Sequence, residues 1–326
     1  MKQAGHRLSF ALLVSAGCFA GASPGPGETG DTTAASPTAG PGDTTATSAT
    51  APTTTTSDDP PLPSGSTGQG TTTPDTDAIT STADTGTTAV EPPDDPIAMT
   101  RKIADLTGPG TSAEQWGVGG TDLGIPVRQP DGQIAYIFGD TFEDHGVGGP
   151  GWRSPVLLRS APGNLAAGVQ FTGAAGGQYA KQILDYAHND VHSTWLPTDA
   201  ITIGDRMYLH YMVNKGLGNV LWSEIAYSDD NGEHWVSSGT SWAGDENLSL
   251  RQLWTWERGG DGYVYTLSTA FTRDRGIILH RVPEDQLLVK AAYEPWGFSG
   301  EWAWGNPATE VLTGKFGELC LRRVED

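Results

Sequence analysis

Asp122 and Asp140 stand eighteen positions apart in GGTDLGIPVRQPDGQIAYIFGDTF (119–142), on either side of a turn sequence. Pro130-Asp131-Gly132 suits a three-residue hairpin loop, with the glycine in the left-handed position. Gln129 then pairs with Gln133, and counting back along both strands sets Asp122 opposite Asp140. Side chains so placed have Cβ atoms about 4.5–5.5 Å apart, and like charges there are destabilising. One explanation is catalytic. Two carboxylates facing a sugar can split their proton affinities and act as nucleophile and acid/base of glycoside hydrolysis. The other is structural, each Asp capping a turn through nearby backbone amides. A two-residue loop would shift the register by one and put the two on opposite faces.

Other residues are candidates for substrate contact. With Gly204-Asp205 as a two-residue loop, Asp199 of LPTDAI falls across from His210. Asp199 would then bind a sugar hydroxyl, orient His210, or form a structural pair with it. HNDVH (188–192) would put His188, Asp190 and His192 on one face of a strand, a spacing that suits a metal. A loop bordering the cleft, with His192 as a substrate contact, is the favoured reading, and neither a metal site nor an organic cofactor is assigned. Trp116, Trp152 and Trp195 flank the Asp-bearing segments and are expected to stack on a sugar ring.

The elements that must position these residues read as β-strands. QIAYIF (133–138), RMYLHYM (206–212), VLWSEIAY (220–227), YVYTLSTAF (263–271) and GIILHRV (276–282) are rich in Tyr, Ile, Val and Trp and are bounded by turn residues. Hairpins centred on Asp131-Gly132, Gly204-Asp205, Asp261-Gly262 and Lys315-Phe316 recur at roughly 73, 57 and 54 residues. Multi-stranded units at that spacing suggest the blades of an all-β propeller, with a β-sandwich as the competing architecture. SDDNGEHW (228–235) fits a Ser-x-Asp-x-Gly-x-x-Trp turn, in which Asp230 bonds turn amides and Trp235 packs into a blade.

The N-terminal third is of another kind. Residues 1–20 read as an export signal, with Lys2 and Arg7 ahead of a short apolar run from Leu8 to Ala16. Ser15-Ala16-Gly17-Cys18 resembles a lipoprotein box, which would lipidate Cys18. The expected location is the cell surface or periplasm, anchored by lipid, with plain secretion as the alternative. Residues 21–96 hold eleven acidic residues and no Lys or Arg, and are otherwise mostly Thr, Ser, Pro, Gly and Ala. Such a segment is expected to be disordered, a tether with a root-mean-square span of about 45–50 Å. The domain proper is read as 97–326, and all eleven Trp lie in it. The net charge of −20 makes phosphate backbones poor partners. No nucleic-acid partner is expected, membrane contact comes only through the lipid anchor, and the domain is expected to be a monomer.

GGTDLGIPV, FGDTF, LPTDAI, DGYVYTLSTAF and LHRVPEDQLLVKAAYEPW together resemble the domain-of-unknown-function family 4185, over roughly residues 105–322. The resemblance implies a five-bladed β-propeller, of which this chain, stopping at GELCLRRVED, reads as carrying about four blades. It also implies an endo-acting hydrolase of D-arabinan in the cell envelope. The family's paired catalytic aspartates map onto Asp122 of GTDLG and Asp140 of FGDTF. By analogy with related propeller glycosidases, Asp122 would be the nucleophile and Asp140 the acid/base. The rival expectation is a surface carbohydrate-binding propeller without catalysis.

Overall fold

The computed structural model of the protein describes residues 10–14, 102–163 and 165–323. Cys18 and the expected tether, 21–96, lie outside the described residues. Strand β1 (Phe10–Val14) comes from the apolar run read as the leader. The first sheet follows, as β2 (Gly120–Arg128), β3 (Ile134–Phe142), β4 (Val156–Ser160) and β5 (Phe171–Ala174). The second is β6 (Thr194–Ile203), β7 (Arg206–Asn214), β8 (Val220–Ser228) and β9 (Val236–Ala243). The third is β10 (Leu253–Arg258), β11 (Tyr263–Thr269), β12 (Ile278–Pro283), β13 (Glu294–Phe298) and β14 (Trp302–Trp304). β15 (Leu319–Arg323) pairs antiparallel with β1.

Each of the three larger sheets is an antiparallel meander of consecutive strands. That is the construction of propeller blades, not of two sheets packed face to face. The first strands of successive blades, β2, β6, β10 and β15, neighbour one another. All five apolar runs picked out in the sequence are strands or lie largely within them. Three of the four expected hairpins form at their predicted turns. Gln129 N–H donates to Gln133 O at 2.8 Å, Ile203 faces Arg206, and Gly259 N–H donates to Tyr263 O at 2.8 Å. The fourth, at Lys315-Phe316, does not. The chain before it spends its backbone on Ile277, through Ile277 N–H to Leu312 O (2.9 Å) and Val311 N–H to Ile277 O (2.8 Å), so β15 finds its partner elsewhere.

The blades are welded by apolar cores between them. Ile137 and Leu157 of the first blade and Leu209, Val213 and Ala226 of the second are fully buried in one cluster. Burial of each Leu contributes roughly 1.5–3 kcal/mol. A second cluster joins Ile201 and Ile225 to Trp254, Trp256 and Val264 of the third blade. The Ser228–Trp235 turn adds a polar weld. Asp230 accepts from His234 N–H and Ser228 Oγ, both at 2.9 Å, and Trp235 Nε1 donates to Gly232 O at 3.0 Å. Partial burial would raise the Asp230 pKa, but the His234 amide and ring and the Ser228 hydroxyl outweigh it and bring it down to about 2. Asn231, left-handed at φ 57°, offers its carbonyl to Arg159 of the first blade at 3.1 Å and its side-chain oxygen to Asp131 N–H at 3.2 Å.

One buried carboxylate ties three of the inner strands. Asp199 on β6, 2% exposed, accepts from Ala200 N–H, from Thr255 Oγ1 and Trp256 N–H on β10, and from both terminal nitrogens of Arg322 on β15.

Two outcomes test this construction. Arg322→Met strands the Asp199 charge and should lower unfolding free energy by about 3 kcal/mol, read by urea denaturation at pH 7. Asp230→Ala should cost about 1–2 kcal/mol at pH 7. Because the folded-state pKa is depressed, that difference is present above about pH 4 and shrinks as pH falls towards 2, which the same titration repeated at pH 2.5 measures.

Candidate active site

The β2–β3 hairpin sets the geometry. Its ladder runs in one register from Arg128–Ile134 to Ile125–Ile137, and in the same register at Thr121–Thr141 and Gly120–Phe142. Between these, two irregularities cancel. Leu123 pairs with Phe138, so β3 gains a residue on one side of that pair and β2 on the other. β2 accommodates this with positive φ at Leu123 (61°) and Gly124 (122°). Asp122 and Asp140 both sit in the irregular stretch between the Thr121–Thr141 and Leu123–Phe138 pairs, near enough for the charge of Asp140 to act on Asp122. Gly139 makes the approach possible, since a Cβ there would lie 2.3 Å from Asp122 Oδ1.

The two carboxyl groups have different surroundings. Burial, and then the neighbouring charge of Asp140, push the Asp122 pKa up to about 7, against the opposing pull of the Asp140 and Asp122 backbone amides. Its Oδ1 is buried with no hydrogen-bond partner, which is tolerable for a group that carries a proton and costly for an anion. Asp140 is cradled instead. Trp152 Nε1 donates to its Oδ1 at 2.8 Å and Thr194 Oγ1 to the same oxygen at 2.6 Å. Thr194 begins β6, so the second blade supplies one of the two donors.

Trp152 is 40% exposed, and its ring stacks on His188 at 4.0 Å. His188 is pinned by Ser193 O at 2.7 Å and Gln182 Oε1 at 3.1 Å. Exposed Leu123 follows Asp122 on β2. The half-buried pair therefore has exposed neighbours in Leu123 and Trp152, and neither carboxyl group lines the pockets of about 320 and 230 Å³.

Several expected substrate contacts stand differently. Asp199 does lie across from His210, but it is committed to Arg322, and His210 is fully buried, bonded through Nδ1 to Thr198 Oγ1 at 2.6 Å. Burial and the charge of Arg251 keep that ring neutral, its pKa well below the ordinary value. Neither lines either of those pockets, and their bonds and burial commit both to the fold. Trp195 is sandwiched between Tyr186 (4.5 Å) and Tyr211 (5.3 Å), so neither face is free for stacking. Trp116 packs against the core of the first blade. His192 stands at the margin, edge-on to Trp222 at 5.3 Å. HNDVH is a turn in which Asn189 Oδ1 accepts from Val191 and His192 N–H, both at 2.8 Å, so strand alternation does not align its side chains. Thr194 and Tyr186 were not legible. Tyr186, whose hydroxyl accepts from Trp195 N–H at 3.0 Å, has its pKa raised mainly by burial and further by Asp140.

Comparison with known proteins places the chain. It is similar to notoamide biosynthesis cluster protein J' of Aspergillus versicolor, 36% identical over 235 residues, covering 66% of this chain and 64% of that protein. The chain therefore spans less than two thirds of that relative's length. An uncharacterized 35.9 kDa protein of Mycolicibacterium smegmatis is 25% identical over 234 residues, covering 69% and 68%. Among solved structures, a glycosyl hydrolase from Bacteroides ovatus superposes with a TM-score of 0.37 at 12% identity, over 63% of this chain and 56% of that one, too loosely to bear on chemistry. Residues 107–326 match the domain of unknown function DUF4185, and the protein belongs to that family.

Proposed function

We propose that the protein is an exported glycoside hydrolase using Asp122 and Asp140, acting on a furanose polysaccharide of the cell envelope, D-arabinan foremost. The observation that carries this is the divergence between two adjoining carboxyl groups on one bulged hairpin. Paired carboxyls whose environments separate their proton affinities mark acid/base chemistry. The substrate class rests on the family resemblance, and export with a lipid anchor on the N-terminal sequence.

The environments favour a split of roles opposite to the one expected by analogy. Asp122, protonated near neutrality, donates to the leaving glycosidic oxygen. Trp152 and Thr194 both bind Oδ1 of Asp140, which leaves its Oδ2 to attack the anomeric carbon or to take a proton from attacking water. Two donors on one oxygen also fix the plane of the carboxylate, so little reorganisation is needed at the moment of reaction. The second reading, glycan binding without hydrolysis, draws on the pull of the Asp140 and Asp122 backbone amides on the Asp122 pKa.

Incubation with purified D-arabinan should release shortened chains. Asp122→Asn and Asp140→Asn should each lower kcat by about 10²–10⁴-fold, and the Asp122 variant should lose a rate limb near pH 7. Intact glycan that still binds would decide for the second reading. Trp152→Phe should lower kcat by roughly 10-fold with little change in KM, the loss of one charge-assisted donor. Stability carries an independent signal. The raised pKa of Asp122 means that its contribution is fully present below about pH 4 and lost as pH rises through 7. Asp122→Asn should therefore gain on the order of 2 kcal/mol over wild type at pH 8, read by urea unfolding.

A further inference from the structure

Far from the carboxylate pair in sequence, Arg251 is 1% exposed, and its Nε, Nη1 and Nη2 are all buried without a hydrogen-bond partner. A guanidinium carries five donors and stays charged, so leaving it unmatched in the interior is costly. Aromatic rings supply part of the compensation. Trp254, Trp242 and Tyr293 lie 4.4, 4.8 and 5.5 Å from its central carbon. They offer no hydrogen-bond acceptor in its plane.

The unmatched cation lines a pocket of about 320 Å³, together with Trp242, Glu246, His280, Lys290 and Tyr293. Lys290 and Glu246 neutralise each other at 2.8 Å. Arg251 is then the one uncompensated charge among these residues, and it is positive in a chain of net −20. His280 is 5% exposed and its Nδ1 also lacks a partner. The loop leading into Arg251 holds three successive non-glycine residues in the left-handed region, Asn247 (φ 51°), Leu248 (59°) and Ser249 (69°). Each costs on the order of 1–3 kcal/mol, strain of a kind that gathers at ligand clamps.

We infer that this pocket binds a small monocarboxylate on a compact ring, of the uronic-acid class. Its carboxylate would meet the Arg251 guanidinium, and its ring would occupy the pocket beside Tyr293, Pro295 and Pro307. One free positive charge selects a monoanion over a phosphate dianion, and the planar fork matches a carboxylate in two-point contact. Apolar walls suit the C–H face of a sugar ring, and the volume is at the lower end of ligand sites. The inference does not rest on the hydrolase reading.

The test uses the full chain with sodium glucuronate, sodium acetate, sodium phosphate and glucose, read by thermal unfolding and tryptophan fluorescence. Wild type should show a saturable rise in Tm and a change in indole emission with glucuronate, half-saturating at about millimolar concentration. Acetate should act more weakly and glucose not at all. Arg251→Met should melt higher than wild type without anion, because a buried unmatched charge is gone, and should lose the glucuronate response. Asp140→Asn should keep that response. The inference is overturned if glucose matches glucuronate, if phosphate matches it, if Arg251→Met retains the response, or if Arg251→Met melts lower than wild type in anion-free buffer.

Discussion

The alignment of the inner strands depends on a buried anion that is fully answered. Asp199 receives donors from β6, β10 and β15, strands that are far apart in the chain, and the half-buried Arg322 balances its charge. Apolar contact alone lets neighbouring blades slide, since hydrophobic attraction has no direction. Five directed bonds to one group do not. The consequence reaches the candidate site. Thr194 and Asp199 share β6, so fastening that strand at Asp199 fixes where Thr194 meets Asp140 across the blade boundary.

Three ionisable groups in this domain meet burial in three ways. Asp199 is paired. Asp122 takes up a proton, its affinity raised by desolvation and by Asp140. Arg251 can do neither, and lies among aromatic rings with its donors unmatched. The first solution serves architecture, because a satisfied charge is a rigid joint. The other two leave burial uncompensated, since Asp122 Oδ1 and the three Arg251 nitrogens have no hydrogen-bond partner. Perturbed groups of that kind are candidates for function.

Local rules carried much of this in the sequence. The Pro130-Asp131-Gly132 loop has a fixed length, so it determines which residues oppose one another from Arg128–Ile134 to Ile125–Ile137, and it brings Asp122 and Asp140 into one irregular stretch. The Ser228–Trp235 turn was legible because its bonds span only a few residues. What escaped depends on long-range partners. Nothing near LPTDAI announces Arg322, 123 positions away. Trp195 looks like a sugar platform until Tyr186 and Tyr211 cover its two faces. The paired irregularities at Leu123 cancel in the register, so counting from the turn gives the right partners at Thr121 and Gly120 and misses the distortion between, where Leu123 pairs with Phe138. Arg251 is not legible in the sequence, since its surroundings come from two blades, Trp242 from one and Trp254 from the next.

Gly139 sits in a strand, not in a turn, and its backbone does not need a glycine's freedom. What forbids a larger residue is the oxygen of Asp122, 2.3 Å from where a methyl group would begin. An alanine at 139 would be acceptable to the β3 backbone and unacceptable to the carboxyl group beside it. Drift at that position is therefore limited by the placement of the Asp122 carboxyl group and of the Leu123 side chain beside it, and not by the strand itself.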